Sequence, residues 1–324
     1  MDVKPVFIFS LPRSGSTLLQ RILAAHPQIS THAEPWLLLP LAYSLRKTGI
    51  YAEYNHSNAV KGITAFTDSL PNQAYDYYFE LGKMVRSLYS KLADNKSVYF
   101  LDKTPRYYLI LPEIQEMFPD AKFIFLFRNP LQVYASSLEA WYRGRLFPYA
   151  SQMDLFRGFR LLATGFREMK ARSHRVNFED LLNAPEKTIR KLLAYMNLDY
   201  DPACIRNFNS VRFGGILGDQ LGTFQYSAIN RGPLEKWKGT INTLIKKRYA
   251  RQFLSFIGED DLNTLGYSMA ELKESLRELR VNKFGLADLL WLMLANLIRI
   301  GELFLFIRKF KQKKRDGFPV TLHR

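Results

Sequence analysis

The sequence predicts an α/β fold, a parallel sheet flanked by helices, with a C-terminal helical extension. Two observations carry that prediction. Short apolar, β-rich runs alternate with segments whose apolar residues recur at helical spacing. The first such run passes directly into a Pro/Gly/Ser loop and then a helix, the opening unit of a sheet covered on both faces. No internal repeat competes with this reading.

In chain order, Val6-Phe7-Ile8-Phe9 reads as the first strand, and Leu18, Leu19, Ile22 and Leu23 mark the helix after the loop. His26-Pro27 ends that helix, because proline disfavours helical geometry in the residue before it, and Ile29-Ser30-Thr31 forms a second short strand. Residues 37–95 read as a helical, tyrosine-rich insertion. Val98–Leu101 and Lys122–Phe127 are the next strands, the latter leading through Asn129-Pro130 into a helix that reaches Trp141. A weaker strand lies at Arg175–Phe178.

With 324 residues, 47% hydrophobic and 23% charged, the chain can bury a core without covalent staples. Cys204 stands alone, so no intramolecular disulfide forms, and no cysteine-histidine spacing suggests zinc. A reducing compartment follows. The first strand begins almost at once after Met1, leaving no room for a secretory leader, so the expected location is cytoplasmic.

The formal charge of +16 fits nucleic acid, an anionic membrane surface or anionic small molecules, and charge alone does not choose. No nucleic-acid recognition motif is present. Part of the excess is local, in Arg308, Lys309, Lys311, Lys313, Lys314 and Arg315. Before that cluster an apolar helix opens at Phe284 and carries Asp288, Arg299 and Glu302, charges that argue against a spanning helix. Residues 283–315 fit an amphipathic helix lying peripherally on an anionic membrane surface. They equally fit a helix packed on the domain or on a second subunit of a homodimer, with a solvated tail.

Pro12-Arg13-Ser14-Gly15-Ser16-Thr17-Leu18, set between strand and helix, brings backbone N–H groups and the positive end of a helix to one spot. That is an anion site and makes the sheet P-loop-like. A nucleoside-triphosphate loop would carry Gly-x-x-x-x-Gly-Lys-Ser/Thr; here Ser16 follows Gly15 and the lysine is missing. If the strands are parallel, Arg13, Glu34, Lys103 and Arg128 collect along one edge of the sheet, beyond its carboxyl ends. One carboxylate able to accept a proton and three cations able to hold oxygens suit group transfer from an anionic donor to an alcohol.

These residues resemble the sulfotransferases that use 3′-phosphoadenosine 5′-phosphosulfate (PAPS). Phe7 to Leu19 looks like the family's 5′-phosphosulfate loop, which includes Arg13, Ser14, Gly15, Ser16, Thr17 and Leu18 here. Phe125-Leu126-Phe127-Arg128-Asn129-Pro130 through Ser137 looks like its 3′-phosphate block, with Arg128 and Ser136 as the binding pair. His26-Pro27 followed by Glu34 is similar to the branch containing protein-tyrosine sulfotransferases, in which a glutamate acts as base; Lys103 in Leu101-Asp102-Lys103-Thr104-Pro105 matches that branch's assisting lysine. Val176-Asn177-Phe178-Glu179-Asp180-Leu181 is similar to a Tyr-Glu-Asp-Leu segment, with Phe178 in place of the tyrosine. Arg231-Gly232 and Trp237-Lys238 vaguely resemble elements that close over the 3′-phosphate, with Glu235 where a glycine is expected.

The resemblance implies sulfuryl transfer from PAPS, without a metal, to an acceptor hydroxyl, with Glu34, Lys103 and Arg13 catalytic. The resemblance spans about residues 5–240 in scattered blocks; the sulfotransferase domain is expected over 1–270, with 37–95 read as an insertion that shapes the acceptor side, and composition alone gives a C-terminal amphipathic helical extension with a basic tail over 271–324. A carbohydrate or lipid-linked acceptor comes first. A magnesium-dependent nucleotide kinase and an inactive membrane-associated adaptor are the competing readings.

Overall fold

A computed structural model describes residues 2–50, 52, 54–148, 151–214 and 228–301. Glu302 and the basic cluster at 308–315 lie outside the described residues. Strands β1 (Lys4–Phe9), β2 (Ile29–Thr31), β3 (Tyr99–Asp102), β4 (Lys122–Phe127) and β5 (Ser173–Asn177) form one sheet in the order β2-β3-β1-β4-β5. Every pairing is parallel.

Side chains on a strand alternate between faces, and here the alternation sorts the two cores by chemistry. Phe7, Phe9, Phe123, Phe125 and Phe127 point to one face, while Val6, Ile8, Ile124 and Leu126 point to the other. All nine are buried, as expected of a parallel sheet covered on both sides.

The aliphatic face is covered by α1 (Ser16–Ala24), α8 (Phe178–Asn183), α9 (Pro185–Tyr195) and α10 (Ala203–Arg206), through Leu19, Ile22, Leu181, Ile189, Leu192 and Cys204. Between α1 and α8 the chain forms α2 (Leu38–Tyr43), α3 (His56–Asp68), α4 (Ala74–Leu92), α5 (Leu111–Met117), α6 (Pro130–Tyr142) and α7 (Phe159–Met169). The aromatic face receives α4, α5, α6 and α7. Tyr89 of α4 stacks on Phe100 with ring centroids 4.4 Å apart, and Phe118 lies 5.1 Å from Phe7. A Cβ on Gly82 would come within 2.1 Å of the Met117 carbonyl, so α4 and α5 approach too closely for any larger residue. The 37–95 segment therefore supplies core to the sheet through α4.

After α10 come α11 (Gly232–Thr240), α12 (Leu244–Ile257), α13 (Glu259–Leu265), α14 (Met269–Glu278) and α15 (Leu286–Gly301). Phe253, Leu254, Leu262, Leu272 and Leu276 join the same aromatic core, so residues on both sides of position 270 share it. Among the described residues no helix is long and apolar enough to cross a membrane.

β3 runs one residue later than its apolar pattern predicts and ends on the buried carboxylate Asp102. The chain moves from β1 to the far edge at β2, returns through β3, and crosses β1 to β4. The carboxyl end of β1, between β3 and β4, is thus the switch point at which open parallel sheets take ligands.

Candidate active site

A cleft of about 800 Å³ opens at that switch point. Its wall includes Arg13, Gly15, Ser16, Thr17 and Leu18 from the first loop, Glu34 and Trp36 after β2, Arg128 after β4, and Ser136 on α6. Lys103 joins them by a hydrogen bond. Parallel strands bring these residues together across more than a hundred sequence positions.

The loop after β1 is bent by two left-handed residues, Arg13 (φ 69°) and Gly15 (φ 89°). A Cβ at Gly15 would stand 2.3 Å from the Phe178 ring, so only glycine fits. Helix α1 has no side-chain cap and no acidic residue in its first turn, which leaves its positive end directed at the cleft. Ser14 is buried, its N–H donating to the Leu11 carbonyl (3.3 Å), and the Leu18 side chain sits in the aliphatic core. What Leu18 presents to the cleft is backbone.

Arg128 is held in place on all sides. Its Nε donates to Gln132 Oε1 (2.9 Å), and its two Nη groups donate to the carbonyls of Arg13 (2.8 Å) and Pro233 (3.1 Å). The guanidinium lies over the Phe178 ring at 4.5 Å. Phe178, which lacks a tyrosine's hydroxyl, thus packs against both Gly15 and Arg128. Arg13 Nε donates to Ser136 Oγ (3.3 Å), tying the first loop to α6. Glu179 accepts from the Asn129 N–H (2.9 Å) and from the Tyr267 hydroxyl (2.8 Å), which fixes the start of α6. Burial, then the Glu179 charge, push the Tyr267 phenol well up, so it stays a donor.

Lys103, 1% exposed, donates to Glu34 Oε1 (2.6 Å) and reaches Thr17 Oγ1 at 3.5 Å. One ammonium therefore spans the carboxylate and the anion loop. Below it, Asp102 accepts from the hydroxyls of Tyr89 (2.6 Å), Tyr107 (2.9 Å) and Thr104 (3.2 Å). Burial pushes the Asp102 carboxyl up to about 6, although those three hydroxyls and Lys103 pull the other way. Burial, with the Asp102 charge next, pushes the Tyr89 and Tyr107 phenols well up as well. Thr104 Oγ1 also accepts from the Trp36 N–H (3.3 Å), and Trp36 Nε1 donates to Glu34 Oε2 (3.4 Å). Trp36 adopts φ 55°, an uncommon geometry for a bulky residue, and these bonds hold it there.

Two residues picked out by their resemblance do not line the cleft. Arg231 is exposed and donates to the Asn183 carbonyl (3.4 Å), and Lys238 pairs with Glu235 on the outer face of α11. Pro233, Lys236, Trp237 and Thr240, spaced three, four and seven positions apart, form the inner face. Helical periodicity in that segment was the signal that would have selected Lys236.

Sequence reasoning also missed the mouth of the cleft, where Pro105, Arg106, Glu139, Ala140 and Trp141 stand. Arg106 is held by Asp154 (3.1 Å), which sits in a π-helical turn, Met153–Gly158, and also accepts from Tyr108. Glu139 and Trp141 are exposed at the end of α6.

Fixed cations, an uncapped helix terminus and a carboxylate within one cleft can hold an anionic donor beside a proton acceptor. Comparison with known proteins agrees with that chemistry. Residues 5–202 match the profile of the Sulfotransferase family. The chain is 25% identical over 323 residues to Nodulation protein NoeE of Sinorhizobium fredii, covering 83% of this chain and 68% of that protein. It is 24% identical over 250 residues to Protein-tyrosine sulfotransferase 1 of Danio rerio, covering 74% and 67%. The solved Sulfotransferase Domain from the Curacin Biosynthetic Pathway shares the fold at a TM-score of 0.52 and 18% identity, over 83% of this chain and 99% of that one. With a family profile matched over more than half its length, this chain belongs to the sulfotransferase family.

Proposed function

We propose that this sulfotransferase moves the sulfuryl group of PAPS onto a hydroxyl of a carbohydrate or lipid-linked acceptor, without a metal. The observation that carries the reading is Lys103 touching both Glu34 and Thr17 at the floor of one cleft. The residues present fit the donor. The N–H groups at the start of α1 and the Arg13 side chain suit its 5′ end, and Arg128 with Ser136 suits a 3′-phosphate. Lys236 faces the same cleft and can add charge there.

In this mechanism Glu34 takes the hydroxyl proton while the acceptor oxygen bonds to sulfur in line with the departing phosphate oxygen. The sulfur–oxygen bond to that phosphate breaks, and its electron pair leaves with the phosphate. Arg13, Lys103 and the loop N–H groups hold the charge that builds there and on the sulfuryl oxygens. Trp36 and Trp141 offer aromatic faces on which a sugar ring can stack beside Glu34.

Calorimetric titration with 3′-phosphoadenosine 5′-phosphate, alongside ATP with magnesium, tests the donor. Binding of the first and not the second is expected. Arg128→Ala should weaken it by roughly 10- to 100-fold, the usual worth of hydrogen bonds to a charged group. Preference for magnesium-ATP would replace this reading with a kinase.

A further inference from the structure

Helix α15 carries features that the transfer reaction does not use. Its inner side is tied to the domain by Asp288, which accepts from Thr243 Oγ1 (2.7 Å) and the Leu146 N–H (3.3 Å) and pairs with Lys246 (3.7 Å). Ala295 is buried on the same side. The outer side is apolar: Leu286, Leu290, Met293, Leu294 and Leu297 are between 42% and 66% exposed. Their spacing of four, seven, eight and eleven residues makes one stripe, extended at its start by exposed Phe284. Up to Ile298, the only charged side chain of the helix is the inward Asp288.

This helix is braced to the cleft mouth. Trp291 packs edge-on against Phe147 (centroids 5.9 Å) and lies under the Arg145 guanidinium (4.9 Å). Phe147 in turn packs on Tyr142 (5.5 Å), the last residue of α6, directly after the rim residues Glu139, Ala140 and Trp141. A partner bound along the stripe is therefore held in fixed relation to the acceptor end of the cleft.

Charge selects the partner. In sequence the helix is followed by six cations within eight residues, Arg308 to Arg315, on a chain of net charge +16. A second copy would bring an equal set of cations up against these. An anionic bilayer satisfies both features, since apolar side chains enter the boundary between headgroups and acyl chains while cations attract the headgroups. We propose that the α15 stripe and the basic segment after it seat the protein on an anionic membrane surface, with the cleft mouth beside it. The acceptor is then a hydroxyl of a lipid-linked molecule presented at that surface. This last step rests on the acceptor reading above; the docking itself does not.

The test is flotation of the full-length protein with vesicles of phosphatidylcholine containing phosphatidylglycerol, and with vesicles of phosphatidylcholine alone. The wild type should partition onto the anionic vesicles, less so at high salt. The double variant Leu290→Ser/Leu297→Ser should partition at least about tenfold less, because two large apolar side chains no longer enter the boundary. Equal partition of wild type and variant, or equal binding to neutral and anionic vesicles, overturns the proposal. So does a variant melting temperature lowered by more than about 4 °C, which would mean that the stripe is covered by the chain itself. A wild-type dimer that the variant converts to monomer, without vesicle binding, overturns it in favour of a second copy. Titration of 3′-phosphoadenosine 5′-phosphate on the wild type separates the two readings: a wild type that binds the nucleotide but not the anionic vesicles refutes docking alone, and one that binds the vesicles but not the nucleotide refutes the donor alone.

Discussion

The floor of the cleft and its mouth are built in opposite ways. At the floor Asp102 and Lys103 are essentially inaccessible, Arg128 is 9% exposed, and each makes several named contacts. At the mouth Glu139 and Trp141 are exposed on the last turn of α6, and Lys236 on α11 is exposed too. A buried charge persists only where its partners are built in, so the floor is ordered before any ligand arrives. At the mouth Arg106 is tied to the buried Asp154, but the side chains of Glu139, Trp141 and Lys236 are exposed, so they can change with less cost to the fold than the floor can. Under the proposed function the floor carries the chemistry and the mouth the selectivity, and three measurements can break that division.

The largest effect is expected at the floor. Glu34→Gln keeps the size of the side chain and an oxygen able to accept from Lys103, but removes the base. Turnover with PAPS should fall by roughly 100-fold or more, while affinity for 3′-phosphoadenosine 5′-phosphate changes little. Steady-state kinetics and titration on one preparation check both. Near-normal turnover would take Glu34 out of the base role and leave the floor as a binding surface only.

The same contrast explains what the sequence disclosed. Arg13 to Leu18 and Arg128 follow strands directly, so apolar runs point to them, and parallel pairing then places them at one edge. The edge of β3 was harder to read. Apolar patterning takes Val98 into the strand and excludes Asp102, yet Val98 is 37% exposed and Asp102 is fully buried, admitted by the hydroxyls of Thr104, Tyr107 and Tyr89, two, five and thirteen positions away, which no apolar pattern brings to it. The Trp237-Lys238 pair resembles a known element and points to Lys238, whereas α11 turns Lys236 toward the cleft. Arg106, Glu139 and Trp141 have no local pattern at all. They meet only because α6 and the turn after β3 end at the same place.

A second, smaller effect concerns the stability of the floor. In the folded protein Asp102 titrates at about 6, chiefly because it is buried, against an ordinary value of 3.8. Between these values the folded state keeps a proton that the unfolded chain has released, so stability falls as pH rises through this window and the loss is complete above it. Asp102→Asn has no proton to lose. Urea unfolding at about pH 4 and about pH 7 should show a drop in the wild type that exceeds the variant's by on the order of 2 kcal/mol. Parallel behaviour of the two proteins would mean that Asp102 is ionised at no cost and that the floor is less dry than its burial implies.

The smallest effect is expected at the mouth. Trp141 is 40% exposed and lines the cleft, nine residues along α6 from the Gln132 that holds Arg128. If it stacks on a sugar ring, Trp141→Ala removes an aromatic contact worth about 0.5–1.5 kcal/mol, and KM for the acceptor should rise about threefold to tenfold. Because that contact forms equally in ground and transition states, kcat should hold, as should affinity for 3′-phosphoadenosine 5′-phosphate. A variant that lost donor affinity instead would show that the mouth orders the floor, and the division between the two regions would fail.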